Sequence, residues 1–164
     1  MVELKVIIIT NYGFFPAELS NFQLLKSLPY LKRIRLEKVS IPSLCNAPIP
    51  LRSVKKISLF MCNIGQAFGN STIQVSDSLP SLMEINIDHC NDLIGELHNL
   101  EELHMKKCLK LHKHLPPSTV DLKQLRLVVC DEERAKLWEP IKESFSGLNV
   151  MVAKEDINLN WLQK

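Results

Sequence analysis

The fold of this chain is decided by Leu79-Pro-Ser-Leu82-Met-Glu-Ile85-Asn-Ile87-Asp-His-Cys90. The apolar residues of this stretch follow the pattern L-x-x-L-x-x-I-x-I-x-x-C. The I-x-I core has a period of two, so both isoleucine side chains lie on one face of a β-strand. The closing cysteine is also expected to point inward, because a small and weakly polar group packs well against neighbouring backbone.

The pattern returns along the chain, which is typical of a leucine-rich repeat that closes on Asn or Cys. The clear copies use Leu28, Leu31, Ile34, Leu36 and Val39; Leu51, Val54, Ile57, Leu59 and Cys62; Leu97, Leu100, Leu103, Met105 and Cys108; and Leu122, Leu125, Leu127 and Cys130. Weaker copies, Leu4-x-Val6-x-x-Ile9 and Leu148-x-Val150-x-Val152, flank them. The closing positions from Ile9 to Cys130 are 30, 23, 28, 18 and 22 residues apart, where about 20–29 is usual. We therefore predict an α/β leucine-rich-repeat solenoid of about six to seven coils over residues 1–130, with parallel strands on its concave face.

Residues 131–164 differ in character and are predicted to form a C-terminal cap with a final strand and a tail. Asp131 is a candidate helix N-cap, and the two glutamates after it suit a first helical turn. The helix would bury one apolar stripe made of Leu137, Trp138, Ile141 and Phe145. Pro140 is expected to kink or split this helix, and the tail at residues 157–164, with Trp161, is expected to pack on the cap.

The N-terminal end shows no comparable cap, because a strand is predicted almost directly after Met1. Solenoid ends need a polar cap over their core, so we expect that an N-terminal part is missing; an irregular first strand that tolerates a cap-less start is the alternative. The 18-residue step across Leu93 and Ile94 is also unusual. We expect that repeats have been lost there, the alternative being one coil with a minimal convex loop.

On the convex side, residues 17–27 are predicted to form a short helix that buries Leu19, Phe22 and Leu25. Residues 40–51 contain three prolines and are predicted to be an extended loop. Residues 60–77 are predicted to form an irregular excursion with a helical turn at 66–68.

The composition excludes several classes of protein. The 164 residues suit one domain, the formal charge of +2 gives no footprint of nucleic-acid binding, and no apolar run has the roughly 18–20 residues of a membrane span. Without a signal peptide, the chain is expected to be cytoplasmic, with reduced cysteines and an unused glycosylation sequon at Asn70. The repeat's closing position accounts for every cysteine except Cys45.

No catalytic or cofactor-binding residue is predicted. The sequence contains no nucleophile–base–acid set, no G-x-G-x-x-G segment and no P-loop. One cluster suggests zinc, namely Cys108 with His104, His112 and His114. Because Cys108 is expected to point into the core and His104 out of it, we predict no metal site and expect a solvated, histidine-rich turn.

Outward-pointing strand residues are the candidate binding site, since the concave face of repeat solenoids binds partners. The candidate partner-binding residues are Arg33, Arg35, Lys56, Phe60, Glu84, Asn86, Asp88, His104 and Arg126. In the last coil the outward positions are predicted to be Gln124, Arg126 and Val128. A face that is basic in its first coils and acidic in the third suits a protein partner of complementary charge, and Phe60 is a candidate anchor. A merely solvated surface is the alternative.

Several loop sequences resemble a known family more specifically than the repeat alone. They are Asn11-Tyr-Gly-Phe-Phe-Pro-Ala-Glu-Leu-Ser-Asn-Phe22, Leu59-Phe-Met-Cys-Asn63, Gln66-Ala-Phe68, Asn70-Ser-Thr-Ile73, Val129-Cys-Asp-Glu-Glu-Arg-Ala-Lys-Leu-Trp-Glu139 and Asp156-Ile-Asn-Leu-Asn-Trp161. Together they resemble the C-terminal leucine-rich-repeat region of plant intracellular immune receptors, in particular helper NLRs of the activated-disease-resistance type. The resemblance covers nearly the whole chain.

The resemblance implies a non-enzymatic module of a receptor that exchanges ADP for ATP in a separate domain and forms a calcium-admitting oligomer at the plasma membrane. Neither of those domains is present here, so no ADP or ATP site is carried over. The family's repeats help to hold the resting state and contact lipase-like immune heterodimers. We therefore expect protein partners, either such heterodimers or other NLR domains, and no nucleic acid or membrane segment. A stand-alone repeat adaptor or an inactive gene fragment is the alternative, and the repeats that these relatives carry between Leu93 and Ile94 support the loss expected there.

Overall fold

A computed structural model describes residues 3–41, 51–63, 79–89, 99–108, 115 and 117–153. The strands are β1 (Val6–Thr10), β2 (Ala17–Glu18), β3 (Arg33–Glu37), β4 (Val39–Ser40), β5 (Lys56–Phe60), β6 (Glu84–Asp88), β7 (Glu102–Lys106), β8 (Leu127–Cys130) and β9 (Asn149–Val152). Seven of them form one parallel sheet in the order β1-β3-β5-β6-β7-β8-β9, and β2 pairs with β4. One α-helix, α1 (Glu132–Lys142), and two 3-10 helices, Phe22–Ser27 and Pro117–Asp121, complete the described elements. The predicted α/β repeat solenoid with a C-terminal helix is confirmed.

The core is a continuous stack of inward-pointing strand residues. In β3, β5, β6, β7 and β8 the second and fourth residues are at most 3% exposed. They pair in register along the sheet: Ile34, Ile57, Ile85, Leu103 and Val128 in one row, and Leu36, Leu59, Ile87, Met105 and Cys130 in the next. Burial of each such aliphatic side chain contributes about 1.5–3 kcal/mol, so the repeat pattern itself is the main source of stability.

The predicted register is wrong in the first and last coils. Ile9 is paired with Leu36 and Cys130 with Met105, so both are strand residues and not closing positions. Val128 is buried, whereas the structure leaves Leu127 partly exposed. Pairing with the neighbouring strand decides the register, because a shift of one residue would turn every side chain to the opposite face.

With this register, equivalent residues are spaced more evenly. Ile7, Ile34, Ile57, Ile85, Leu103, Val128 and Val150 occupy matching positions, which gives steps of 27, 23, 28, 18, 25 and 22 residues. Only the 18-residue step remains outside the usual range. β6 and β7 nevertheless pair directly, so the short step does not interrupt the sheet; its connection at residues 90–98 lies outside the described part.

Cysteines at the closing position join adjacent coils. The Cys62 thiol donates a hydrogen bond to the Leu36 carbonyl at 3.3 Å, and the Cys108 thiol donates to the Ile87 carbonyl at 3.5 Å. Each acceptor belongs to the preceding coil, so a thiol here satisfies a buried carbonyl between strands. Cys62, Cys108 and Cys130 are buried, as predicted, and each is a free thiol in the structure. Cys45 and Cys90 lie outside the described residues.

The pKa of the Cys130 thiol is raised from 9.0 to about 11, chiefly by burial and also by the nearby Asp131 carboxylate, while Arg134 opposes the shift. The unfolded thiol ionises near pH 9, whereas the folded one stays protonated until about pH 11. The folded state then binds more protons, so stability is fully present below pH 9 and is lost as the pH rises to 11. We expect the free energy of unfolding to fall between pH 9 and pH 11 by about 2 kcal/mol more in this chain than in the Cys130→Ala variant. The measurement is urea unfolding at several pH values, and an equal pH dependence of the two proteins would contradict this.

Strands β3, β5, β6 and β7 are each followed directly by a residue with a positive φ, between 51° and 54°. These residues are Lys38, Met61, His89 and Lys107. The first three donate their backbone N–H groups to the next coil, for example Met61 to the Asp88 carbonyl at 2.9 Å. This left-handed conformation turns the chain away from the sheet, while the backbone N–H group keeps its hydrogen bond to the next coil. It costs a non-glycine residue about 1–2 kcal/mol.

Relief of this strain should be measurable at Met61, which is 43% exposed. Met61→Gly is expected to stabilise the fold by roughly 0.5–1 kcal/mol, after allowance for the greater chain entropy of glycine. Met61→Val is expected to destabilise it by about 1 kcal/mol, since β-branched residues fit this conformation poorly. Urea unfolding of both variants is the measurement, and the opposite order of stabilities would contradict the explanation.

The convex segment at residues 17–27 is less helical than predicted. Instead of a helix over residues 17–27, the short strand β2 is followed by the 3-10 helix Phe22–Ser27. The Ala17 and Leu19 N–H groups donate to the Lys38 and Ser40 carbonyls, and this pairing with the next coil prevents an earlier helix start. The loop predicted over residues 40–51 starts one residue too early, because Ser40 belongs to strand β4. Residues 42–50 of that loop, the helical turn at 66–68, the Asn70 sequon and the tail with Trp161 lie outside the described residues.

Helix α1 connects β8 to β9 and packs against the core. Trp138 is fully buried and Phe145 is 8% exposed, while Leu137 and Ile141 are partly buried, in agreement with the predicted stripe. The helix is not split at Pro140, because it runs unbroken to Lys142. Asp131 occupies the N-cap position in extended conformation, but its carboxylate makes no capping bond.

Candidate protein-interaction surface

The register of the sheet arranges the outward side chains in three rows across the concave face. The first row is Arg33, Lys56, Glu84, Glu102 and Leu127; the second is Arg35, Ser58, Asn86, His104 and Val129; the third is Glu37, Phe60, Asp88 and Lys106. Neighbours in a row are one strand spacing apart, about 4.8 Å. Side chains separated by 18 to 28 residues in sequence thus form one continuous surface.

Polar contacts organise this surface. The Arg35 guanidinium lies 2.6 Å from the Glu37 carboxylate, which also accepts a hydrogen bond from the Thr10 hydroxyl at 3.1 Å. Lys56 forms an ion pair with Glu84 across β5 and β6. These partly exposed pairs add little stability, so their principal effect is to hold charged groups in fixed positions.

Phe60 is held by an aromatic contact. Its ring meets the His89 imidazole edge-to-face, with centroids 5.6 Å apart and an interplanar angle of 72°. His89 in turn lies 2.6 Å from the Asp88 carboxylate. Phe60 remains partly exposed, and a rigidly held aromatic ring within a polar surface has the properties of an interface anchor.

The structure brings most predicted site residues together. All of them except Arg126 lie in strands β3, β5, β6 and β7 with outward side chains. The placement of Arg126 in a strand row was wrong: it precedes β8, and its N–H donates to the Glu101 carbonyl at 2.9 Å. Val128, predicted to point outward with it, is buried. The outward residues of β8 are Leu127 and Val129.

Two features of the surface could not be found from the repeat pattern. Glu84, Glu102 and His104 place potential ligand atoms within 4.8 Å of one another, although Lys56 already contacts Glu84 and structural zinc takes four ligands. Of the cluster that was considered for zinc and rejected, Cys108 donates a hydrogen bond to a backbone carbonyl, and His112 and His114 lie outside the described residues. The group of Glu84, Glu102 and His104 is best described as an anionic patch.

The second feature is the loop after β1, which exposes three aromatic side chains: Tyr12, Phe14 and Phe15. The Asn11 side chain holds this loop, because it accepts a bond from the Gly13 N–H at 2.9 Å and donates to the Phe15 and Lys38 carbonyls. The signal in the sequence is the group of aromatic residues on both sides of Gly13.

The fold defines a leucine-rich-repeat protein. Within that class the chain is homologous to plant disease resistance proteins over nearly its whole length. It is 32% identical over 99% of its residues to the Arabidopsis thaliana "Probable disease resistance protein At5g66890" and 26% identical over 99% to "Disease resistance protein ADR1". A 94-residue part is 56% identical to "Probable disease resistance protein At5g66900" of the same plant. No family model matches the chain.

The chain covers only part of these relatives, namely 57%, 30% and 12% of their respective lengths. The alignment with the first spans 239 positions, whereas the chain has 164 residues. At least 75 aligned positions therefore face gaps in this chain, about three repeats of 20–29 residues. This supports the expectation of lost repeats, without locating them. In the described part of the chain, no helix combines the length and apolarity of a membrane span.

Proposed function

We propose that the chain is a non-enzymatic protein-interaction module of a plant intracellular immune receptor, and that it regulates helper-NLR defence signalling in the cytoplasm. It binds lipase-like immune heterodimers or other NLR domains through the concave face. The observation that carries the proposal is the in-register surface of fixed charges around Phe60, in a homologue of disease resistance proteins.

The chemistry of this surface favours binding over catalysis. Several of its ionisable groups form ion pairs with one another, as in Arg35–Glu37 and Lys56–Glu84. Among the described hydrogen bonds, none joins a cysteine or serine to a histidine. An ordered set of both charge signs selects a partner by complementarity and speeds association. The aromatic ring supplies the apolar contact that such charges lack.

The test is a titration of the purified chain with a purified lipase-like heterodimer. Phe60→Ala and Arg35→Ala are each expected to weaken binding at least tenfold, with unchanged urea unfolding, because both side chains are outside the core. Phe14→Ala and Lys123→Ala are matched controls that remove exposed side chains outside the three rows. The proposal fails if the control variants lose as much affinity as the concave-face variants.

The gaps in the alignment favour a second candidate, a stand-alone repeat protein or inactive fragment that no longer signals. Co-expression with full-length ADR1 in leaves separates the two. A regulatory module changes the extent of ADR1-dependent cell death, and the change disappears with Phe60→Ala. A fragment without function leaves cell death unchanged in both cases.

A further inference from the structure

A cavity of about 490 Å³ lies at the edge of the concave face where the strands begin. We call its lining the charge rim, which consists of Lys32, Arg33, Lys55, Lys56, Met83, Glu84, Glu101 and Glu102. Pockets that bind specific ligands have volumes of about 300–1,000 Å³. The charge rim is therefore large enough to hold a few residues of a partner.

The backbone beneath the charge rim is fixed by a repeated hydrogen-bond pattern. Each carbonyl that precedes a strand accepts two N–H groups from the next coil: Lys32 from residues 55 and 56, Lys55 from residues 83 and 84, and Met83 from residues 101 and 102, at 2.8–3.2 Å. The positions of the charged side chains thus follow the regular spacing of the strands. A preorganised site loses less entropy when it binds.

The two walls of the charge rim carry opposite charges. Four cations lie on the β3 and β5 side, and three carboxylates lie on the β6 and β7 side. Lys56 and Glu84 form an ion pair where the walls meet. Within the described residues, Lys32, Arg33, Lys55 and Glu101 make no ion pair, so both walls keep unneutralised charge.

Neighbouring charges in the charge rim also repel one another. Arg33 pairs in register with Lys56, and Glu84 with Glu102. Like charges directly opposite across strands are destabilising. A ligand with an anion over the first wall and a cation over the second would remove both repulsions.

We propose that the charge rim binds an extended peptide segment of a partner protein that carries an acidic and a basic side chain two to four residues apart. The centres of the two walls are two strand spacings apart, about 10 Å. An extended chain places side chains of one face about 7 Å apart at i, i+2 and about 13 Å apart at i, i+4, which brackets this distance. The inference rests on the proposed function, since it specifies the chemistry of the partner.

The test uses three end-blocked, fluorescein-labelled peptides and fluorescence anisotropy: Glu-Glu-Gly-Ser-Lys-Lys, Glu-Glu-Gly-Ser-Glu-Glu and Lys-Lys-Gly-Ser-Lys-Lys. The full chain is expected to bind the mixed peptide at least tenfold more tightly than either single-sign peptide. Reversal of one wall should abolish that preference. The first wall is reversed by Lys32→Glu, Arg33→Glu and Lys55→Glu together, and the second by Glu101→Lys with Glu102→Lys. Reversal of both walls should restore it, because the peptide can then bind in the opposite direction.

Restored binding in the five-substitution variant, with both walls reversed, also shows that the substituted protein is folded. Equal affinity for the acidic and mixed peptides would overturn the proposal in favour of a simple basic patch. Absence of binding to all three peptides would also overturn it. If the heterodimer still binds in a Phe60-dependent manner in that case, the proposed function stands and only the assignment of the charge rim fails.

Discussion

Replacement of Trp138 by alanine is expected to lower the free energy of unfolding by about 3–5 kcal/mol. Trp138 is fully buried on helix α1, and its loss would leave a large cavity between the cap and the last coils. Circular dichroism in urea is a suitable measurement, because it does not depend on the fluorescence of the residue removed. A loss below about 1 kcal/mol would show that the cap does not stabilise the solenoid.

Trp138→Phe is the matched control. It keeps an aromatic ring in the core, and it removes an indole N–H that has no hydrogen-bond partner among the described residues. Because only part of the ring volume is removed and no described bond is lost, we expect a smaller cost than for alanine, about 1–2 kcal/mol. A cost equal to that of alanine would indicate that the indole N–H itself is needed.

Replacement of Arg134 by alanine is expected to cost about 3 kcal/mol, the second large effect. Arg134 is 5% exposed and donates to the Cys108 carbonyl from Nε at 3.2 Å and from Nη2 at 2.6 Å. Its Nη1 contacts the Asp131 carboxylate, which accepts the Lys107 N–H at 2.8 Å. Loss of the guanidinium would remove both of its bonds to the buried Cys108 carbonyl. It would also take away the positive charge that contacts the partly buried Asp131 carboxylate.

Arg134→Lys separates charge from geometry. A lysine keeps the positive charge but cannot form the forked bonds to both partners, so intermediate stability is expected in urea unfolding. If alanine and lysine variants were both as stable as the original chain, the network that joins α1 to the coil of Cys108 would contribute nothing.

The sequence alone was sufficient to predict the central coils. Ile34 with Leu36, Ile57 with Leu59, and Ile85 with Ile87 are each separated by one polar residue, and such a pair can bury only one face of a strand. The segment Leu125-Arg-Leu-Val-Val-Cys130 contains apolar residues in both phases, so its period did not determine the register. The backbone pairing of β7 with β8 determined it instead, and with it the correction at Arg126.

The contacts of the candidate site were less predictable, since they form between coils. Sequence reasoning placed Phe60 and Glu84 on the outward face, but it could not show the Phe60–His89 contact or the Lys56–Glu84 pair. Both depend on the parallel register of strands whose connections vary in length. The role of Asp131 was likewise hidden, because its bonds to Lys107 and Arg134 replace the expected N-cap.

The most direct test of the proposed concave-face function is site-specific photo-crosslinking to a purified lipase-like heterodimer. A benzophenone amino acid would replace Phe60 in one preparation and the fully exposed Phe14 in another. We predict a crosslink from position 60 that unlabelled chain suppresses, and a much weaker one from position 14. Crosslinking from position 14 alone, or from neither position at saturating heterodimer, would contradict the assignment of the concave face as the partner-binding surface.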